Sequence, residues 1–202
     1  MRILSSLAFV SLLSTLISCG GVPPTYYYRV DYQDKFDKVS NGGVAPVTLG
    51  VGQFSADLLY ESDRIVYRDS EYEAKFYHYR RWVSAPRKMV VEKCIKDFSA
   101  SNAFNRVVRL PSTQKVDYVL KGRILAFEEW DEDATWFGLV SIGFELQHPK
   151  TGAVVWEKVM SRKEPAEKKE PVAVVKAISI ALDQVIGQSI SEIRNELASL
   201  GN

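Results

Sequence analysis

The sequence predicts an α+β fold: a single two-layer domain whose mainly antiparallel, twisted sheet carries two helices packed on one face. Three observations predict it. Residues 116–130 and 135–148 alternate apolar and polar side chains with a period of two, the mark of strands with one buried and one wet face. Residues 172–200 repeat apolar residues in three- and four-residue steps, which draws one apolar stripe along a helix suited to lying across a sheet. A shorter helical pattern follows Pro86, and proline is well placed in a first turn.

The N-terminus comes first in order. Arg2 precedes an apolar run from Ile3 to Leu16, which ends in Leu16-Ile17-Ser18-Cys19. A cationic start, a short apolar stretch and a small residue at the exit describe a secretory signal peptide over residues 1–18. The run falls short of the about 20 apolar residues that span a bilayer. Leu-Ile-Ser-Cys resembles the bacterial lipobox, which implies cleavage before Cys19 and acyl chains on its sulfur. Two or three such chains hold a protein on a membrane without crossing it. Gly20 and Gly21 follow, with no Asp beside the Cys. By resemblance to lipoprotein sorting in Gram-negative cells, that implies the periplasmic face of the outer membrane. Residues 19–25 then form a short tether of Gly and Pro, and the folded domain occupies residues 26–202.

Tyr26 to Tyr32 has high strand propensity. Alternation puts Tyr26, Tyr28 and Val30 on one face and Tyr27 on the other; a sugar-stacking or membrane-interface platform is the competing reading of the three tyrosines. Residues 33–46 read as a loop around Asn41-Gly42-Gly43. A strand follows over residues 47–54, and a helical turn over residues 56–60. Arg64–Arg68 and Glu73–Tyr79 are short strands joined as a hairpin, closed by Arg81-Trp82. Ser84 is the expected cap of the helix that runs to about Ala100, with Met89, Val90, Cys94, Ile95 and Phe98 inward. The turn Pro149–Gly152 leads into a strand over residues 153–160, and the charged loop 164–171 leads to the last helix. Gly201 is its stop. A coiled-coil homodimer through that helix competes with packing on the sheet, but its charges at the flanking positions pair poorly.

Removing residues 1–18, which hold one charged residue, leaves 184 residues with 25 basic and 25 acidic side chains. That length is enough for one sizeable core. Balanced charge gives no footprint for nucleic acid. Hydrophobic content of 46% excludes a disordered chain. With Cys19 acylated, Cys94 is the one thiol left, so no internal disulfide can form and the fold rests on its core. Cys94 reads as a small buried hydrophobe.

Chemistry-bearing motifs are sparse. His78 and His148 stand alone, without a partner at metal-ligand spacing, so neither metal nor cofactor is expected. Gly50-Val51-Gly52 lacks the rest of a dinucleotide fingerprint and reads as glycine at a close backbone approach. Glu128, Glu129, Asp131, Glu132 and Asp133 lack the order of a calcium loop and read as a solvated hairpin tip, able to serve as an acidic docking knob. An enzyme is not expected.

Read in sequence, PPTYYY at 23–28, VTLGVGQF at 47–54, Leu58-Leu59-Tyr60, RIVYR at 64–68 and Arg81-Trp82 form a family pattern. Pro86 ahead of an apolar helix, Phe104 to Val107, Asp117 to Leu120 and Gly122-Arg123-Ile124 complete it. The chain resembles the ABC-type transport auxiliary lipoproteins, the PqiC-like lipoproteins that accompany MCE-domain lipid transport systems. The resemblance implies a non-enzymatic accessory subunit that meets an MCE-domain protein and an ABC-type transport complex, with phospholipid or another hydrophobic molecule as cargo. Arg64, Arg68, Arg81 and Trp82 are the candidate partner or oligomer surface, because Arg and Trp are enriched at interface hot spots. The competing role for Trp82 is to cover the sheet edge. Activation of a peptidoglycan synthase by protein contact is the alternative function, disfavoured by so short a tether.

Overall fold

The computed structural model describes residues 21–31 and 43–200. The expected signal peptide, the lipobox-like stretch with Cys19, Tyr32, most of the predicted loop 33–46 and the expected Gly201 stop lie outside the described residues. In chain order the elements are β1 (Tyr26–Tyr28), β2 (Ala45–Val51), β3 (Ser55–Ala56), a 3-10 turn (Leu58–Tyr60), β4 (Arg64–Arg68) and β5 (Lys75–Trp82). They continue with α1 (Pro86–Ala100), β6 (Phe104–Arg109), β7 (Tyr118–Glu132), β8 (Thr135–Gln147), β9 (Val154–Pro165) and α2 (Pro171–Leu200).

The nine strands form one curled, mixed sheet. This corrects the expectation of a mainly antiparallel one. The antiparallel pairs are β4–β5, β7–β8 and β8–β9, each joined by a local connection that the alternation and turn signals reveal. The parallel pairs join segments far apart in sequence: Tyr26 faces Arg80, Leu49 faces both Val107 and Tyr118, and Val66 faces Glu128. Nothing local announces such pairs. β6 shows no strand pattern in the sequence, because Phe104 is its one buried residue and Asn105 to Arg109 show no clean alternation.

β7 holds the sheet together. One of its edges pairs with β8 along its length, and β2, β3 and β4 lie in succession along the other. A register shift between Ile124 and Ala126 inserts one residue into β7. Before it, Leu120, Gly122 and Ile124 stand opposite the core residues Leu146, Phe144 and Ile142. After it, Phe127 and Glu129 stand opposite Val140 and Gly138. The even-numbered face expected through Ala126 therefore switches to odd numbers, as a bulge requires.

The helices follow their apolar stripes. α2 buries Val175, Ile178, Leu182, Val185, Ile186, Ser189, Ile193 and Leu197 and packs on β8 and β9. Leu200, expected on that stripe, is half exposed. By length and composition α2 could cross a membrane, yet 61% of its most apolar window is buried in the fold, so here it is a core helix. α1 buries Met89, Val90, Cys94 and Phe98, touches α2, and packs on β6 and β7. Its cap differs from expectation: Ala85 holds the N-cap position without a side-chain hydrogen bond, and Pro86 alone provides the start signal. Ser179 joins the helix to the N-terminal segment, accepting from the Asp31 amide and donating to the Val175 carbonyl.

Glycine decides where α2 can sit. A Cβ on Gly138 would lie under 3.0 Å from the backbone of Ala177 and Ile178, atoms that cannot swing aside. Gly138→Ala is expected to lower stability by about 1–3 kcal/mol, the range for overpacking a tight core. A urea melt that matches the parent protein would show that α2 does not rest on β8 this closely.

Candidate functional site

The residues singled out in the sequence converge where β4, β5 and β7 meet. Their roles divide by burial. Trp82 is fully buried, edge-on to Phe127 with ring centroids 5.2 Å apart. That corrects its placement on an exposed surface: its indole fills the core and is closed to a partner. Arg68 is also turned inward, its Nε donating to Glu128 Oε2 at 2.9 Å. Arg64 and Arg81 remain partly exposed and face each other across β4 and β5. Two like charges opposite one another are unfavourable. The arrangement offsets this, because Arg64 lies over the Phe76 ring at 3.8 Å and Arg81 donates to Asp63 at 2.8 Å.

The acidic stretch is not a solvated tip. Glu128 and Glu129 are both buried within β7, and Asp133 alone of the five lies in the tight turn. Adjacent residues on a strand point to opposite faces, so the two glutamates meet different partners. Glu128 Oε2 accepts from the Tyr60 hydroxyl at 2.6 Å and from Arg68. Burial, then the Glu128 carboxylate, pushes the Tyr60 phenol up and keeps it neutral. A buried carboxylate needs this pairing: its partner cation and donors offset the desolvation cost.

Glu129 accepts from the Tyr77 hydroxyl at 3.0 Å, and Tyr77 rests against Tyr67 with centroids 4.8 Å apart. β5 bulges here. Between the partners Val66–Phe76 and Arg64–Arg81, four residues of β5 oppose one of β4, which turns Tyr77 toward β7. Burial pushes the Glu129 carboxyl up to about 8, with the neighbouring Asp131 raising it further against the Tyr77 hydrogen bond. Asp131 is raised as well, chiefly by burial. A proton on Glu129 supplies a donor to Asp131, whose buried Oδ1 otherwise lacks one. Only the acidic composition was visible in sequence; the partners come from β4 and β5, dozens of residues away.

Elsewhere the open side of the sheet bears a groove of about 720 Å³ floored by Leu125, Gly143 and Val159 and rimmed by Lys121, Glu145 and Glu157. Cys94 is fully buried, and burial pushes its thiol up, the behaviour of an inert core residue. Gly50 and Gly52 line β2 where Leu110, Val116 and the Leu120 carbonyl approach, in keeping with a close-packing role. Among the described residues no group of three or more His, Cys, Asp or Glu could hold a metal ion.

A mixed sheet built on one long strand and covered by two helices defines an α+β fold with solved counterparts. A Xanthomonas campestris protein superposes with a TM-score of 0.71 at 20% identity, covering 87% of this chain and 99% of its own. The crystal structure of an uncharacterized protein superposes with a TM-score of 0.67 at 15% identity, covering 85% and 99%. These likenesses are of fold. No curated protein matches the sequence. The chain belongs to the ABC-type transport auxiliary lipoprotein component family, whose model matches residues 36–188. It is thus a lipoprotein-family auxiliary component of an ABC-type transport system, with the membrane-anchored envelope location such a family indicates.

The shared proton at Glu129 makes stability depend on pH. The folded protein keeps this proton up to about pH 8, whereas an ordinary glutamate releases it near 4.5. The folded state therefore binds more protons across that window, and stability falls as pH rises through it. Glu129→Gln, which keeps a donor to Asp131, is expected to flatten the decline. The difference in urea-unfolding free energy between pH 5 and 8.5 should shrink by on the order of 2 kcal/mol. Parallel pH profiles for the two proteins would show that Glu129 titrates normally.

Proposed function

We propose that this chain is a non-enzymatic accessory subunit of an MCE-domain, ABC-type lipid transport system, tethered by acyl chains on Cys19 to the periplasmic face of the outer membrane. Family membership across residues 36–188 carries the reading. The sequence at Leu16 to Cys19 supports the anchor, and the short tether holds the folded part near the bilayer, where an accessory subunit could meet the end of a lipid conduit. Phospholipid is the proposed cargo of the system. Arg64 and Arg81 are the proposed contact with the MCE-domain protein. Both are partly exposed, on β4 and β5, while Trp82 is buried and the Arg68 side chain, 20% exposed, is held by Glu128.

Palmitate labelling in cells is expected to mark the wild-type chain and to be lost in Cys19→Ala; label retained by the variant would refute acylation at that residue. Reversing both charges, Arg64→Glu with Arg81→Glu, should cut recovery of the MCE-domain protein several-fold after cross-linking and pull-down, with the melting temperature little changed. Undiminished recovery would remove these arginines from the interface. Recovery of a peptidoglycan synthase in place of the MCE-domain protein would overturn the transport assignment.

A further inference from the structure

The sequence leaves one motif without a role, the tyrosines at the start of the fold. In the structure β1 pairs with β5 alone and forms a free edge of the sheet. Tyr26 and Tyr27 are 56% and 62% exposed, and Tyr79 of β5 is 42% exposed. Tyr26 stands opposite Arg80, next in sequence to Tyr79, and Tyr27 opposite Arg81. The three tyrosines thus cluster at one margin. The expected alternation holds at Tyr28, which packs against the core, and at buried Val30, whereas Tyr26 and Tyr27 stay exposed. Exposed aromatic rings are costly in water, yet a tyrosine suits the boundary of a membrane, where its ring meets acyl chains and its hydroxyl meets headgroups.

Chain length decides which surface these rings meet. Six residues lie between Cys19 and Tyr26, a reach of at most about 25 Å over seven fully extended steps. The described part of that tether leaves the body freely, with Val22 83% exposed and nothing within 4 Å of a Cβ on Gly21. β9 stands at the far end of the path β1-β5-β4-β7-β8-β9, five strand pairings from the tether. An anchor at Cys19 therefore keeps the β1 edge, where the tether enters the fold, within reach of the bilayer. The charges at this margin are paired, Arg29 with Asp31 and Arg81 with Asp63, so the tyrosine rings carry the contact.

We propose that the β1–β5 margin is the face that rests on the anchoring membrane, with Tyr26, Tyr27 and Tyr79 seated at headgroup level. The proposal rests on acylation of Cys19 and adds the orientation of the domain. The lipid contact orients the sheet with β9, the strand farthest from β1 in pairing order, away from the surface.

The mature acylated chain, reconstituted into vesicles of phosphatidylethanolamine and phosphatidylglycerol, tests it. Tyr27→Cys, Tyr79→Cys and Val159→Cys each introduce one accessible thiol, because Cys94 is fully buried and Cys19 is blocked. With a bimane label at each position and a nitroxide on the lipid headgroup, quenching at positions 27 and 79 should exceed that at 159 severalfold. Equal quenching at all three positions in a chain that floats with the vesicles would overturn the orientation and leave the anchor standing. A chain that does not float would overturn the acylated reading, and this orientation with it. A label at position 27 shielded from lipid and cross-linking to a second copy would assign the edge to a seam between subunits, which also overturns the proposal.

Discussion

Everything in this fold depends on both edges of β7 being used. A strand of 15 residues is long enough to serve one continuous neighbour and several short ones. β8 takes one edge in full, while β2, β3 and β4 share the other. The division needs the inserted residue near Leu125. Without it, Phe127 would turn out of the core and the two glutamates would exchange faces. Tyr60 and Arg68 could then not reach Glu128, nor Tyr77 reach Glu129. A single unpaired residue so links the register of the sheet to its buried pair of glutamates.

The polar interior also explains how an arginine-rich hairpin is held without an aromatic surface anchor. Arg68 turns in to Glu128, Trp82 packs on Phe127, and these two fix β4 and β5 against β7. Arg64 and Arg81 are then carried on a rigid base. Preorganised side chains lose less freedom when a partner arrives, so burying Trp82 strengthens the neighbouring arginines as contacts even though the indole itself touches nothing outside.

What could be read from the residues was local. The alternation in residues 135–148, the stripe in α2, and the Pro86 start each report on one element and its immediate neighbours, and each lies close to its expected place. The parallel pairings were illegible because they join segments separated by long stretches of chain; β6, with one buried side chain, had no pattern to show. Glu128 and Glu129 were read as solvated because five acidic residues in six positions ordinarily are. Only the tertiary structure supplies the tyrosines and arginine that make their burial tolerable. Cys94 followed its helical spacing into the core as expected.

The parallel pairing of β2, β3 and β4 with β7 has a consequence for how the chain comes into being. A polypeptide is made from its N-terminus, so residues 45–68 exist well before residues 118–132 can meet them. Until then β2 offers β6 at most, and the inward face of VTLGV has no cover. Contacts of such long sequence separation form slowly, since loop closure must precede them. Unpaired apolar strands in the interval invite association with other chains. The order of synthesis thus leaves β2, β3 and β4 without their shared partner until β7 is made, and the last strand pair and α2 close over a core whose first half has been waiting the longest.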